Sequence, residues 1–141
     1  MPPSPPPEVR VGIDAVAVER VARLLGEHDG AAETVFTAGE LRHCRGRRRS
    51  ADHLAARFAA KEAVLKAFGT GLGPRMRWTD VEVVTEPGGH PAVALHGEAA
   101  AIGRRRGLDH VDLSLTHTAG LALAAAVTVW NRAEAAPCAS T

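Results

Sequence analysis

The feature that most constrains this chain is an uninterrupted helical segment in its middle. Residues 51–68 contain neither proline nor glycine, and they are rich in the strong helix formers alanine, leucine, lysine and glutamate. Ser50 is the predicted N-cap, Asp52 lies in the predicted first turn, and Gly69 suits the position that ends a helix. We therefore predict one long helix that begins near residue 50 and ends at residue 68.

The side chains of this helix allow two interpretations. Four apolar residues fall at helical spacings and predict a buried stripe: Leu54, Phe58, Leu65 and Phe68. Glu62 and Lys66 lie four residues apart in the favourable order, so an amphipathic helix with solvated ion pairs is one interpretation. The other is that the many alanines leave the charged side chains open to close approach by a large anionic ligand.

The length and composition of the chain favour one domain. The 141 residues are 45% hydrophobic but only 4% aromatic, which predicts a core built mainly from alanine, valine and leucine. Five prolines among residues 1–7 predict a disordered tail over residues 1–8, ahead of a domain at 9–130 and a C-terminal tail at 131–141. The net charge of +1 argues against a general nucleic-acid binder.

The sequence also bears on cellular location. Cys44 and Cys138 are far apart and predict neither a disulfide framework nor a metal site. The N-terminal residues lack the apolar segment of a signal peptide, and the longest apolar run, residues 120–130, is too short to span a bilayer. We expect a cytoplasmic protein without a membrane segment.

The order of predicted elements favours an α+β fold with an antiparallel sheet, one long helix and several shorter helices. Residues 9–18 are rich in valine and isoleucine and predict a strand, and Thr37 with Glu40 has capping-box spacing for a short helix. The remaining predicted elements follow in chain order: a helix at 19–28, a hairpin at 78–95, a helix at 97–106, and strands at 111–115 and 121–130.

Three polar features stand out from this framework. Asp14 lies in an apolar strand, where a carboxylate is costly to bury unless it meets a cation or a metal, although it also suits a cap for the next helix. His117 lies in a late strand-like segment, where a lone histidine is usually structural. The basic run at residues 45–49 fits either a solvated loop or a site for an anion or an acidic partner.

Taken together, these segments resemble the holo-acyl-carrier-protein synthase family of 4′-phosphopantetheinyl transferases. The resemblance rests on Gly12-Ile13-Asp14 followed by Arg20, on the segment RFAAKEAVLKAFGTG at 57–71, and on SLTHT at 114–118. FTAGEL at 36–41 also resembles a short helix of that family. The resemblance covers about residues 9–130 and implies the family's α+β fold.

The resemblance implies a specific reaction. A serine hydroxyl of an acyl carrier protein attacks the β-phosphate of coenzyme A, phosphopantetheine is transferred, and adenosine 3′,5′-bisphosphate leaves. The family uses Mg²⁺ and usually forms a homotrimer with sites between subunits. The sequence leaves open whether the carrier serves fatty-acid or polyketide synthesis.

By resemblance, the catalytic and metal-binding residues map onto three segments. Asp14 and Glu62 are expected to hold Mg²⁺, since this ion typically binds phosphates together with one or two protein carboxylates. Lys66 lies one helical turn from Glu62 and is expected to stabilise phosphate charge. The general base is Glu62, a water held by a carboxylate, or Lys66. His117 is expected at the substrate pocket, with a catalytic role.

The resemblance also indicates which residues bind coenzyme A. Arg57 is expected to contact the nucleotide portion, and Lys61 is either a second contact or a plain surface lysine. Gly69 and Gly71 would let the backbone approach the ligand closely, because glycine has no Cβ. His117 completes the expected set of coenzyme A contacts.

Contacts with partners are expected from the family resemblance and from the apolar last strand. Arg20 is expected to face the acidic carrier, and residues 47–49 to contact either the 3′-phosphate of coenzyme A or the carrier. The apolar strand at 121–129 is expected to cover another subunit. In the expected trimer, Asp14 comes from one subunit and the helix at 57–66 from its neighbour.

Overall fold

The computed structural model describes residues 2–131. Residues 2–7 adopt neither helix nor strand, and of the C-terminal tail predicted at 131–141 only Asn131 is described. Ten helices and strands follow in chain order: β1 (Glu8–Ala17), α1 (Val18–Leu25), α2 (Ala31–Val35), α3 (Ala38–Arg45), α4 (Ser50–Phe68), β2 (Val81–Thr85), β3 (Pro91–Leu95), α5 (Gly97–Arg106), β4 (Leu108–Thr118) and β5 (Leu121–Trp130). A short 3₁₀ helix, Trp78–Asp80, precedes β2.

The strands form two antiparallel sheets. β5 lies between β1 and β4 in a three-stranded sheet, and β2 pairs with β3 as a separate hairpin. The predicted α+β class with an antiparallel sheet is confirmed. The short helix α2 was not predicted, and the first predicted helix ends three residues early, at Leu25.

Helix α4 runs from Ser50 to Phe68, as the sequence predicts. Its N-cap is Arg49 rather than Ser50; Arg49 adopts a left-handed conformation, and no side chain caps the helix. Eleven of its nineteen residues are buried, so α4 is the central helix of the fold rather than an amphipathic surface helix.

The alanines of α4 face the sheet and not a ligand. Ala63 lies against Gly12 of β1 so closely that a Cβ on Gly12 would overlap the Ala63 carbonyl oxygen. On β5, the inward side chains opposite α4 are also small: Ala122, Ala124 and Ala126 are all buried. Small side chains on both surfaces allow the helix to approach the sheet closely, which corrects the expectation that they admit an anionic ligand.

The alternation of β1 decides where its carboxylate points. Gly12, Asp14 and Val16 lie on the face toward α4, because successive side chains of a strand point to opposite faces. Val11 and Ile13 lie on the other face, where 67% and 64% of their surface is exposed. Asp14 therefore meets α4, and an apolar surface is left on the opposite side of the sheet.

Lys61 is part of the core and does not line a ligand site. Its side chain is fully buried, and its Nζ donates to Glu40 Oε1 at 2.7 Å and to the carbonyls of Trp78 and Val81. Glu40 in turn accepts the backbone N–H of Val83. The assignment of Lys61 to coenzyme A binding is therefore wrong: three core oxygens already occupy its ammonium, which ties α4 to α3 and to the β2–β3 hairpin.

No helix within residues 2–131 combines the length and the apolar composition needed to cross a membrane.

Candidate active site

A cleft of about 370 Å³ lies where β1, α1 and α4 meet. Five charged residues line this carboxylate cleft: Asp14, Arg20, Arg23, Glu27 and Glu62. Asp14 and Glu62 come from separate parts of the sequence but meet in a single chain. The expectation that neighbouring subunits supply these two carboxylates is therefore wrong.

Asp14 is held by a lysine from α4. Lys66 Nζ donates to Asp14 Oδ1 at 3.0 Å and to the Ile13 carbonyl at 2.9 Å. Asp14 is not a helix cap, since the N-cap of α1 is Ala17 and that helix has no side-chain cap. The Lys66 ammonium pairs with Asp14 and not with Glu62, the partner that helical spacing suggested.

Glu62 lies half-buried in the same cleft. Burial raises the pKa of its carboxyl, and the nearby Asp14 carboxylate raises it further, while Lys66 and Arg20 oppose the shift. The Asp14 carboxylate thus disfavours the charge of the Glu62 carboxylate. Such a pair is stabilised when a cation enters the cleft.

The donor set fits Mg²⁺ only together with a phosphate ligand. Within residues 2–131, no three His, Cys, Asp or Glu side chains are grouped to form a complete metal centre. Mg²⁺ usually keeps several waters and binds through one or two carboxylates plus substrate phosphates. Asp14 and Glu62 supply those carboxylates, so the cleft suits a hydrated Mg²⁺ that arrives with a phosphate-bearing ligand.

A second cleft, of about 350 Å³, lies between α3, α4, the β2–β3 hairpin and β4. Its titratable lining residues are all cations or potential cations: His43, Arg47, His53, Arg57 and His90. Among the described residues, no carboxylate lines this basic cleft. Its composition is that of a site for a negatively charged ligand.

Arg57 supplies the buried positive charge of the basic cleft. Only 5% of its surface is exposed, and its Nη2 donates to Thr85 Oγ1 at 3.1 Å. Its Nε is buried and has no hydrogen-bond partner among residues 2–131. An unpaired buried donor is costly, so an acceptor from a bound anion would stabilise this guanidinium.

Within one chain, His117 does not join Glu62 and Lys66. It is half-buried near the end of β4, and its ring centroid lies 5.6 Å from that of His53 in an edge-to-face contact. It lines a pocket of about 360 Å³ with Arg49, Asp52 and the β4–β5 turn, and not the carboxylate cleft. Through His53, however, it adjoins the basic cleft.

The two glycines of the helix motif have a structural explanation of their own. Gly69 ends α4 with φ 76°, and Gly71 follows with φ 58°, a left-handed region that favours glycine. Neither residue lines the carboxylate or the basic cleft. Their approach to a ligand stays a prediction.

Sequence reasoning missed three histidines of the basic cleft: His43, His53 and His90. A signal for one of them was present, because His53 and Arg57 lie four residues apart on a predicted helix and therefore share a face. No local pattern links His43 or His90 to them. Those residues come from α3 and from the hairpin, and only packing brings them to α4.

Comparison with known proteins identifies the class. A family model described as 4′-phosphopantetheinyl transferase superfamily matches residues 10–126, a span that holds both clefts. The chain therefore belongs to the 4′-phosphopantetheinyl transferase superfamily. The resemblance noted in its three motifs is confirmed.

Individual relatives also match most of the chain. The holo-[acyl-carrier-protein] synthase of Desulforudis audaxviator is 47% identical over 121 residues, which are 84% of this chain and 91% of the relative. The Moorella thermoacetica protein of the same name is 42% identical over 119 residues, 84% of this chain and 92% of the relative. An ACPS–CoA complex from Chronobacterium ammoniagenes has a TM-score of 0.78 at 32% identity and covers 89% of this chain and 99% of that chain. The predicted transferase fold is thus confirmed.

Proposed function

We infer that this chain is a transferase that moves the 4′-phosphopantetheine group of coenzyme A onto a serine of an apo acyl carrier protein, in the cytoplasm. The observation that carries this inference is the carboxylate cleft, where Asp14, Glu62 and the adjoining Lys66 meet from separate segments. The names of the curated relatives and the coenzyme A complex of a structural neighbour support the same substrates.

The reaction requires charge stabilisation at the phosphates. The serine Oγ of the carrier forms a bond to the β-phosphorus while the bond to the leaving adenosine 3′,5′-bisphosphate breaks, and negative charge increases on the leaving oxygen. Lys66 presents an ammonium at the edge of the cleft, with 53% of its side chain exposed and its position fixed by two hydrogen bonds. We assign this lysine to stabilising the phosphate charge.

Asp14 and Glu62 are the residues that we propose to hold Mg²⁺. The support is their shared cleft and the electrostatic repulsion between them. When bound, the ion supplies further charge stabilisation for the phosphates. Asp14 also fixes the position of Lys66 through a hydrogen bond, so its place in the cleft matters to the reaction even apart from the ion.

The serine proton needs an acceptor, and Glu62 has the best support. Its raised pKa brings the carboxylate closer to the range in which a base takes a proton efficiently. It acts directly on the serine Oγ or through a water that it holds. Lys66 is less suited to this role because both of its hydrogen bonds are donated to oxygens.

The basic cleft is the proposed site for the nucleotide end of coenzyme A. Arg57 offers a buried guanidinium with an unpaired Nε, and His117 adjoins the cleft through His53. Arg47, from the basic run, lines the same cleft, which favours a nucleotide contact for that run over a purely solvated loop.

The direct test is to incubate the protein with apo carrier, coenzyme A and Mg²⁺ and to measure the mass of the carrier. We expect the carrier to gain one phosphopantetheine group. Carriers of fatty-acid and of polyketide synthesis are compared side by side. A protein that binds carrier and coenzyme A but leaves the carrier mass unchanged would be a binding module, and the proposed activity would be wrong.

The rim of the carboxylate cleft suits an acidic carrier. Arg20 and Arg23 of α1 are both exposed and both line the cleft. A carrier that docks there would place its serine beside Asp14 and Glu62. We therefore propose Arg20 as a contact for the carrier.

Reversing the charge of Arg20 is expected to weaken the binding of the carrier and not that of coenzyme A. In Arg20→Glu, the KM for carrier should rise by about tenfold and become less sensitive to salt, because rim charges act mainly on association. The KM for coenzyme A should change little. Arg104→Glu, on the exposed surface of α5, is the matched control and should resemble the wild type. Equal effects of Arg20→Glu on both substrates would place Arg20 elsewhere.

The sheet offers a surface for self-association. Val9, Val11 and Ile13 of β1 are exposed on the face away from α4, and Leu121 and Val127 of β5 extend the same apolar face. Exposed apolar patches of this kind mark interaction sites. We propose that this face is covered in a homotrimer.

The proposed trimer would close each active site with a neighbouring copy. β1 is an edge strand of its sheet, with Ile13 on the apolar face and Asp14 on the opposite face. A copy that covers Ile13 and extends around this edge would lie beside the carboxylate cleft. His117 is separate from that cleft within one chain. We therefore propose that His117 acts at the site of a neighbouring copy.

Mixing inactive variants tests this arrangement. Asp14→Ala and His117→Ala proteins, mixed so that subunits exchange, should regain part of the activity, since some sites combine an intact cleft with an intact His117. Asp14→Ala mixed with Glu62→Ala is the control and should stay inactive, because one chain supplies both carboxylates. A monomer by light scattering, or no recovery after mass spectrometry has confirmed exchange, would contradict the shared site.

A further inference from the structure

We propose that His43 and His53 bind a phosphate monoester in the basic cleft and that both imidazoles take up protons when this dianion enters. The inference rests on the proposed function, because the monoester in question is the 3′-phosphate of coenzyme A. It assigns a role to two residues that belong to none of the three sequence motifs.

The two histidines approach the same cavity from different helices. His43 lies on α3 and His53 on α4, and both line the basic cleft with Arg47 and Arg57. Within residues 2–131, neither imidazole hydrogen-bonds to another residue; the contact of His53 with the His117 ring is edge-to-face. Their ring nitrogens are therefore available to a ligand.

The third histidine of the cleft is already paired. His90 Nε2 lies 3.1 Å from Asp112 Oδ1, and this exposed pair lowers the pKa of the Asp112 carboxyl. In the part of the chain that the structure describes, His43 and His53 form no ion pair with a carboxylate. His43 and His53, and not His90, are therefore the imidazoles that are free to bind a ligand.

The buried guanidinium of Arg57 indicates which kind of ligand fits the basic cleft. Arg57 is buried, with only 5% of its surface exposed, and its Nε has no acceptor among residues 2–131. A phosphate monoester carries up to two negative charges and three acceptor oxygens. A dianion with three acceptor oxygens therefore matches a cleft that presents one guanidinium and two imidazoles better than a singly charged diester phosphate does.

In the free protein, the surroundings of both imidazoles disfavour the protonated form. Burial lowers the pKa of His43, and the charges of Arg57 and Arg47 lower it further, with a smaller effect of His53. Burial also lowers the pKa of His53; Arg47, His117 and Arg57 add to this effect, and only the Asp52 carboxylate opposes it.

A bound dianion reverses this balance. Its charge favours the protonated imidazoles, so their pKa values are higher in the complex than in the free protein. The binding free energy from these protons is fully present below the free-state pKa values and is lost as the pH rises through the bound-state values. Affinity should therefore fall as the pH rises from about 6.5 to 8.5, above the second pKa of a phosphate monoester near 6.

Calorimetry of the full-length protein with coenzyme A measures this directly. Titrations in buffers of different ionisation enthalpy should show net proton uptake at pH 7, and the Kd should rise by about tenfold between pH 6.5 and 8.5. 3′-Dephospho-coenzyme A, which keeps the pyrophosphate but lacks the monoester, should bind with no proton uptake and a flat pH profile.

Variants identify the groups that take up the protons. His43→Gln/His53→Gln should bind coenzyme A about tenfold more weakly at pH 6.5 and should lose most of the pH dependence. His28→Gln, an exposed histidine outside both clefts, is the matched control and should resemble the wild type.

The outcomes separate this inference from the proposed function. Tight coenzyme A binding and normal carrier modification without proton uptake, or a double variant with an unchanged pH profile, would overturn the inference and leave the function standing. Equal proton uptake with the dephospho compound would assign the protons to the pyrophosphate and also overturn it. Absence of both coenzyme A binding and carrier modification would contradict the proposed function itself.

Discussion

Replacing Glu62 by glutamine is expected to lower kcat by about 10²–10⁴-fold while the protein stays folded. Glutamine keeps the size of the side chain but removes the charge that the cleft concentrates beside Asp14. The loss should appear in kcat, measured from the mass of the modified carrier, and circular dichroism should be unchanged. The matched control is Glu33→Gln, since Glu33 is exposed and lies outside both clefts.

Asp14→Asn should show a similar loss of kcat, with the added effect that Lys66 loses its charged partner.

Removal of divalent metal by a chelator should abolish turnover of the wild type, and added Mg²⁺ should restore it. Full turnover in excess chelator would overturn the metal assignment. Normal kcat in Glu62→Gln would overturn its roles both as ligand and as base.

Replacing Lys61 by methionine is expected to lower the free energy of unfolding by about 3–5 kcal/mol. Methionine approximates the length of the lysine but leaves the Glu40 carboxylate buried without its cation. It also leaves the Val81 carbonyl without its side-chain donor. Urea unfolding followed by circular dichroism measures the change. The free energy of unfolding should fall with urea concentration at the same slope as in the wild type.

An exposed ion pair provides the control for Lys61. Arg105 and Glu98 of α5 are paired at 3.4 Å, and 63% of the Arg105 side chain is exposed. Arg105→Met should cost about 0–1 kcal/mol, since water screens that pair. If Lys61→Met were as mild, the buried pair would not stabilise the junction of α3, α4 and the hairpin. A selective rise in the KM for coenzyme A in folded Lys61→Met would instead restore the ligand role that its burial contradicts.

The sequence was most informative where local spacing determines the result. The absence of proline and glycine over residues 51–68 predicted α4 almost to the residue, and Thr37 with Glu40 forms the capping box that its spacing indicated. Alternation in β1 places Gly12 and Asp14 on one face. These features depend on neighbours within a few residues, which a sequence displays directly.

Helical spacing could not predict which of two lysines on α4 is buried. Lys61 and Lys66 lie five positions apart on α4, yet one is fully buried against Glu40 and the other is half exposed beside Asp14. The difference arises because α3 and the β2–β3 hairpin cover one side of the helix and β1 meets another. Helical spacing alone does not say which side will be covered.

The sequence by itself determined most of the helices and strands and the family, and it singled out Asp14 and Glu62 as candidate metal ligands. Only the tertiary structure decided that Asp14 and Glu62 share a cleft in one chain and that the α4 alanines pack on the sheet. It also brought together the histidines of the basic cleft. The physical reason is range: periodicity fixes which residues share a face, whereas burial, charge neighbours and pKa values depend on segments far apart in the chain that only packing brings into contact.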